Sequence, residues 1–231
     1  MSKRRGWLNK PKLPEIKVEM RRVAILVPAQ EMVHTAFAMS LAHMIEKTFL
    51  YAPDNLQGMS VNSYSSSMLP FSRQNLAKNA LDQDVTHMLW IDSDMEFPDD
   101  MLLNFLRRDE KILGINAMNR RKPFRATALA APKKQVVTTP DSSGIEKVYR
   151  MGFGVVWVAC EVFNRMTLPY FDFKWLPEES LWMGEDYLFF EKAKELGYEL
   201  YIDHDLSKRV NHIGAFDYNP MMLGMIKEPE E

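Results

Sequence analysis

Short apolar runs, bounded by turn residues and separated by stretches of helical periodicity, constrain this chain more than any other feature. Residues 23–27, Val-Ala-Ile-Leu-Val, are continuously apolar and closed by Pro28, the pattern of a strand buried on both faces. Phe37, Leu41, Met44, Ile45 and Phe49 then recur at helical spacing. Pro53, Asp54, Asn55 and Gly58 mark a loop, and residues 59–64 alternate weakly as a second strand. Ser72 is suited to cap a helix over 73–81 that turns Leu76, Ala77, Ala80 and Leu81 inward. Residues 87–91 are the next buried strand. Pro98-Asp99-Asp100 opens a further helix with acids at its positive end, and 112–117 is a fourth strand. This β-α-β-α-β-α-β order predicts an α/β fold with a mostly parallel central sheet and helices on both faces.

Beyond Asn119 the pattern changes. A basic loop at 120–123 is followed by short strand-like pieces at 127–131 and 136–139, a turn at Asp141 to Gly144, and a segment at 147–151. Together they predict a hairpin region added to the sheet. Residues 155–159 form another apolar strand, 163–166 a single helical turn, and 170–182 an aromatic loop. Leu188, Phe189, Lys192, Ala193 and Leu196 keep helical register over 185–196, with Gly197 as the stop, and 198–202 is a last strand. The 231 residues suit one domain at 22–216, with a polar N-terminal extension at 1–21 and a tail at 217–231.

Composition narrows the function classes. A net charge of −2 gives no reason to expect a nucleic-acid partner. The single cysteine, Cys160, excludes an internal disulfide and a thiolate zinc cluster. The apolar run near the start is too short to span a bilayer, and no apolar segment follows Lys3, Arg4 and Arg5 to make a signal peptide. No transmembrane segment is expected. The 17 methionines are more easily core filler than metal ligands.

The residues that could carry chemistry cluster around Asp92-Ser93-Asp94. An apolar strand runs into these two carboxylates, and strand exits in an open α/β sheet are where ligands bind. Carboxylate oxygens are hard donors suited to Mg²⁺ or Mn²⁺. Arg73, placed in the first turn of its helix, offers a guanidinium to phosphate oxygens, with Asn75 as a hydrogen-bonding neighbour. In Trp182-Met183-Gly184-Glu185-Asp186, two acids open a helix. Neighbours on a helix point about 100° apart, so one of the pair can serve as a base while the other cannot reach the same atom. His212, followed by Ile213 and Gly214, is a lone histidine beside a residue that lets backbone lie close to a ligand. Asp203-His204-Asp205 is a second acidic pair, but it follows a shorter, more polar strand away from the inferred sheet centre.

Taken in order, Pro28-Ala29, Ser72-Arg73-Gln74-Asn75, Asp92-Ser93-Asp94, Gly152-Phe153-Gly154, Gly184-Glu185-Asp186 and His212-Ile213-Gly214 resemble the GT-A fold glycosyltransferases. The likeness is to family 2-like members of the kind found in phage and large-virus genomes, and it spans roughly residues 22–216. The resemblance implies a GT-A, Rossmann-like single domain. It also implies a metal-dependent transfer of sugar from a nucleotide-diphosphate sugar, a UDP-sugar foremost, to a glycan or other hydroxyl acceptor, with inversion. By the family pattern Asp92, Asp94 and His212 would bind Mn²⁺ or Mg²⁺, and Asp92, Ser93 and Asp94 the donor. Pro28, Ala29 and Gln30 would hold the nucleoside, and Arg73 with Asn75 the diphosphate. Asp186, with Glu185 in reserve, would be the acceptor base, while Gly152, Phe153, Gly154 and Trp182 shape the acceptor side. Arg120 or Arg121 would add positive charge. Gln74 interrupts the family's Arg-Asn adjacency. A cytoplasmic location, host cytoplasm for a viral chain, is the matching expectation. The alternatives are a catalytically degenerate nucleotide-sugar or glycan-binding module, and a haloacid-dehalogenase-like phosphatase. The latter normally carries its acidic pair on the first strand.

Overall fold

A computed structural model describes residues 19–120 and 124–214. The basic N-terminal segment 1–18, Arg121 and the tail at 217–231 lie outside the described residues. The central sheet is built from β1 (Arg21–Ala29), β2 (Leu56–Ser65), β3 (His87–Ile91), β5 (Ile112–Gly114), β8 (Ile145–Val148), β9 (Val155–Ala159) and β12 (Leu200–Asp203). Its order is β2-β1-β3-β9-β5-β12-β8. β2, β1, β3, β5 and β12 run one way, while β9 and the edge strand β8 run antiparallel to their neighbours. The expected mostly parallel sheet is thus present, with β9 inserted antiparallel at its centre between β3 and β5.

Helices cover both faces because the strands alternate. Val23, Ile25 and Val27 of β1 and Leu89 and Ile91 of β3 pack toward α1 (Thr35–Tyr51) and α3 (Met101–Phe105). Ala24, Leu26, Met88 and Trp90 face the opposite layer of α2 (Leu69–Leu81), α4 (Cys160–Arg165) and α5 (Glu185–Glu195). The short elements are β4 (Met95–Glu96), β6 (Leu129–Ala131), β7 (Lys134–Gln135), β10 (Lys174–Leu176), β11 (Leu181–Met183), α6 (His204–Ser207) and β13 (Asn211–His212). Among the described residues no helix is long and apolar enough to cross a membrane.

Several local expectations shift. β1 continues through Pro28, which pairs with Tyr64 of β2 at a level where pairing with β3 has already ended at Leu26. With one flank free of ladder partners, the missing proline N–H is tolerated. α1 buries Phe37, Ser40, Met44 and Thr48, and leaves Phe49 in solvent one helical step off that stripe. α2 begins at Leu69, with Pro70 in its first turn, so Ser72 is not its cap. The Ser72 hydroxyl instead donates to the Tyr64 carbonyl at 2.6 Å. The aromatic segment before α5 contains the β10–β11 hairpin. The second acidic pair is structural: Asp203 is buried, accepts from the Leu206 N–H and pairs with Arg108.

Candidate active site

The acidic pair sits where β3 leaves the sheet. The Asp92 N–H donates to the Gly154 carbonyl (2.8 Å), and the Ile213 N–H to the Asp94 carbonyl (2.8 Å). The turn is therefore tied both to the residue that leads into β9 and to the one that follows β13. A Cβ at Gly154 would stand 3.3 Å from Met95 Sδ, so the glycine lets β9 lie close under the acidic loop. β13 pairs antiparallel with β4, setting His212 opposite Met95. That pairing carries a histidine more than a hundred residues away in sequence to the side of Asp94.

A cleft of about 490 Å³ opens over the ends of β1, β2 and β3. Asp92, Ser93, Asp94, Pro28, Ala29, Gln30 and His212 line it, together with Arg120, His34, Ser66 and Ser67. The expected nucleoside edge and acidic pair are thus brought together with the histidine. The serines were not singled out from sequence, although they follow directly on β2, which ends at Ser65 on the ligand-binding side of the sheet, and that position is the signal that could have found them. His212 Nε2 is 3.4 Å from Asp94 Oδ2, and its Nδ1 is 2.8 Å from the Met118 carbonyl. A carbonyl can only accept, so Nδ1 carries a proton, and in the neutral ring Nε2 presents its lone pair toward Asp94. Arg120 also reaches Asp94 Oδ2, at 3.0 Å.

Arg73 departs from its expected place. It lies in the second turn of α2, is 2% exposed, and does not face the cleft. Its Nη2 donates to Asp92 Oδ1 at 2.8 Å and its Nη1 to Glu185 Oε1 at 2.5 Å, with the guanidinium 4.7 Å over the Phe153 ring. Asn75 does not join the site: its amide donates to the Phe71 carbonyl one turn back. Phe153 is also misplaced by the sequence reading. It is buried among Trp90, Phe171, Phe189 and Phe190, beneath Arg73 rather than on a substrate surface. Gly152 lies against Thr127, where a Cβ would meet that side chain at 3.0 Å.

Glu185 and Asp186 open α5 but face different surroundings. Glu185 is buried on Arg73. Asp186 Oδ1 accepts from the Tyr187 N–H at 2.7 Å, folded so close to Gly184 that a Cβ there would stand 2.8 Å away. Asp186 lines a second cleft of about 570 Å³ with Trp182, Tyr187, Arg150, Leu176 and Leu181. Trp182 is 64% exposed and lies across β10–β11 from Trp175, ring centroids 5.4 Å apart.

The charges are strongly coupled. Burial disfavours the Arg73 cation, but Asp92 and Glu185 outweigh it and raise the pKa. Burial also raises the Asp92 carboxyl, against the pull of Arg73. At Asp94 burial acts in the same sense, yet His212 and Arg120 together hold the carboxyl below its usual range. The Asp94 hydrogen bond raises the His212 imidazole. Burial, and then the neighbouring Glu185, push Asp186 up to about 6.

As a donor set for a divalent cation, two carboxylates and an imidazole nitrogen fit in kind. The Nδ1 contact to a carbonyl is the support that histidine ligands normally have. Among the described residues no three such groups converge on one point, because Asp92 is turned toward Arg73.

No protein-family model matches this sequence, and no curated protein sequence does. The fold is similar to that of A197 from STIV, with a TM-score of 0.52 and 13% identity over 90% of this chain and 100% of that one. It is also similar to GalNAc-T7, solved with UDP, GalNAc and Mn²⁺, with a TM-score of 0.50 and 11% identity over 91% of this chain and 47% of that one. The fold is therefore GT-A-like.

Proposed function

We propose that the protein is a metal-dependent glycosyltransferase that moves a sugar from a nucleotide-diphosphate sugar to a hydroxyl acceptor, with inversion. One observation carries this reading: Asp94 and His212 come together at the mouth of one cleft, while Asp186, with its raised pKa, lines a second. A donor cleft and an acceptor cleft on either side of a reaction centre are what single displacement requires.

Asp92, Asp94 and His212 are the residues that would hold Mn²⁺ or Mg²⁺. When bound, the ion would offset negative charge on the departing diphosphate. The chain's own residues do the rest. Pro28, Ala29 and Gln30, at the end of β1, border the nucleoside, and Ser66 and Ser67 offer hydroxyls from the end of β2. Arg120 lines the same cleft and adds positive charge where the leaving group develops its own. Asp186 accepts the proton of the acceptor hydroxyl as its oxygen bonds to the anomeric carbon. The bond from that carbon to the diphosphate breaks, and the diphosphate leaves with the electron pair. A carboxylate with a pKa of about 6 is ionised at neutral pH yet more basic than an ordinary aspartate. Glu185 is already engaged by Arg73, which leaves Asp186 as the base.

A UDP-sugar is the first donor to try, since GalNAc-T7 was solved with UDP. Release of UDP from UDP-sugars should require Mn²⁺ or Mg²⁺ and fall by at least about 100-fold in Asp94→Asn. If release is metal-independent, or unchanged in that variant, the reading is wrong.

A further inference from the structure

Among the described residues, Arg73 alone bonds to both acidic motifs. Nη2 holds Asp92 on the donor side, and Nη1 holds Glu185 at the start of α5 on the acceptor side. The group is 2% exposed and rests on Phe153, and its Nε has no partner. A guanidinium enclosed in this way cannot reach a diphosphate in the cleft. It is a single cation shared between two carboxylates.

We infer that Arg73 is a positioning residue whose fork couples cation binding at Asp92 to Glu185 and, through it, to the N-terminus of α5 that presents Asp186. This rests on the metal-dependent reading above. The physical reason is competition for charge. A divalent ion and Arg73 both draw on the Asp92 carboxylate, and in a poorly hydrated setting that competition is strong. Glu185 takes up part of the guanidinium charge and so leaves Asp92 freer to bind a cation. Without the Glu185 charge, the full pull of Arg73 falls on Asp92. Coupling of this kind is reciprocal, so an ion at Asp92 shifts the guanidinium toward Glu185 and firms the start of α5. The planar fork is essential, because an ammonium is a point charge that cannot grip two carboxylates in fixed directions.

The test is a double-mutant cycle on Mn²⁺ binding by the nucleotide-free protein, followed by calorimetry or water-proton relaxation. Glu185→Gln, which removes a charge outside the metal-ligand set, should weaken Mn²⁺ binding about 5- to 10-fold. In an Arg73→Gln background the same change should alter binding by less than about twofold. Arg73→Gln leaves two carboxylates without their partner and could fail to fold. Arg73→Lys keeps a charge without the fork and serves as the second background, where the Glu185→Gln effect should again shrink. An equal effect of Glu185→Gln in the parent and in either folded background overturns the coupling while leaving the metal site intact. A parent protein that binds no Mn²⁺ overturns both the coupling and the metal-dependent reading.

Discussion

Asp186 and Glu185 are adjacent in sequence and differ by what surrounds them. Glu185 has a cation at bonding distance, whereas Asp186 has burial and a like-charged neighbour that together outweigh the more distant Arg73 charge and its one backbone N–H bond. The second set disfavours ionisation, and it gives opposite signs for stability and activity. With its folded pKa near 6, above the unfolded carboxylate value, Asp186 stabilises the fold fully only below the unfolded pKa. That contribution is lost as pH rises through about 6. Asp186→Asn should therefore raise the metal-free unfolding temperature at pH 7.5, and this gain should vanish near pH 3.5 in parallel melts. Activity runs the other way, because a base must be ionised. Metal-saturated transfer in the parent should fall about tenfold per pH unit below about 6 and level off above it. In Asp186→Asn, transfer should drop by about 100-fold or more at every pH while Mn²⁺ affinity stays within twofold. A variant that keeps its rate would pass the role of base to another group.

At the scale of elements, strands and helices were legible wherever apolar pattern alone decides them. β3, β9 and α5 follow from uninterrupted or helically spaced apolar residues, and the acidic turn follows from where β3 must end. The antiparallel insertion of β9 was not legible, because a strand buried on both faces has the same composition in either direction. The position of Arg73 was missed through one assumption, that Ser72 caps α2. The helix in fact starts at Leu69 with Pro70 in its first turn, so residue 73 stands in the second turn, three and four residues before Leu76 and Ala77 and on their inward face. The β4–β13 pairing that delivers His212 joins two-residue strands, too short to show a period. The β10–β11 hairpin, with three residues in each strand, is also too short to show a period, and it carries the exposed Trp175 and, beside Asp186, the exposed Trp182. Since Trp182 is 64% exposed, Trp182→Ala should change stability by less than about 0.5 kcal/mol. If the ring packs on an acceptor, transfer to a panel of oligosaccharides should fall about 3- to 10-fold while hydrolysis of the donor by water is unchanged. Equal losses in both reactions would remove Trp182 from the acceptor side.

For the whole molecule, the candidate site rests on a block of aromatic packing. Trp90, Phe153, Phe163, Phe171, Phe189 and Phe190 join β3, α4, α5 and the loop before the hairpin, and Arg73 lies directly on Phe153. A close-packed interior yields little, so the support under Arg73 is rigid. The two carboxylates of the acidic turn are in turn paired, Asp92 to Arg73 and Asp94 to both Arg120 and His212. Ligand binding should then register as stabilisation of a fixed frame rather than as refolding. A nucleotide at about 100 times its Kd adds about 2.7 kcal/mol, which for a chain of this size is roughly 5–10 °C in unfolding temperature. A panel of UDP-, GDP-, CMP- and dTDP-sugars, each with and without Mn²⁺, should show one base giving such a shift only when the ion is present. Asp92→Asn and Asp94→Asn should each abolish the metal-dependent part. The same shift without Mn²⁺, or in both variants, would separate nucleotide binding from the acidic pair and return the chain to a binding module. A phosphatase of the haloacid-dehalogenase type would show none of these nucleotide-specific shifts and would instead form an acyl phosphate on Asp92.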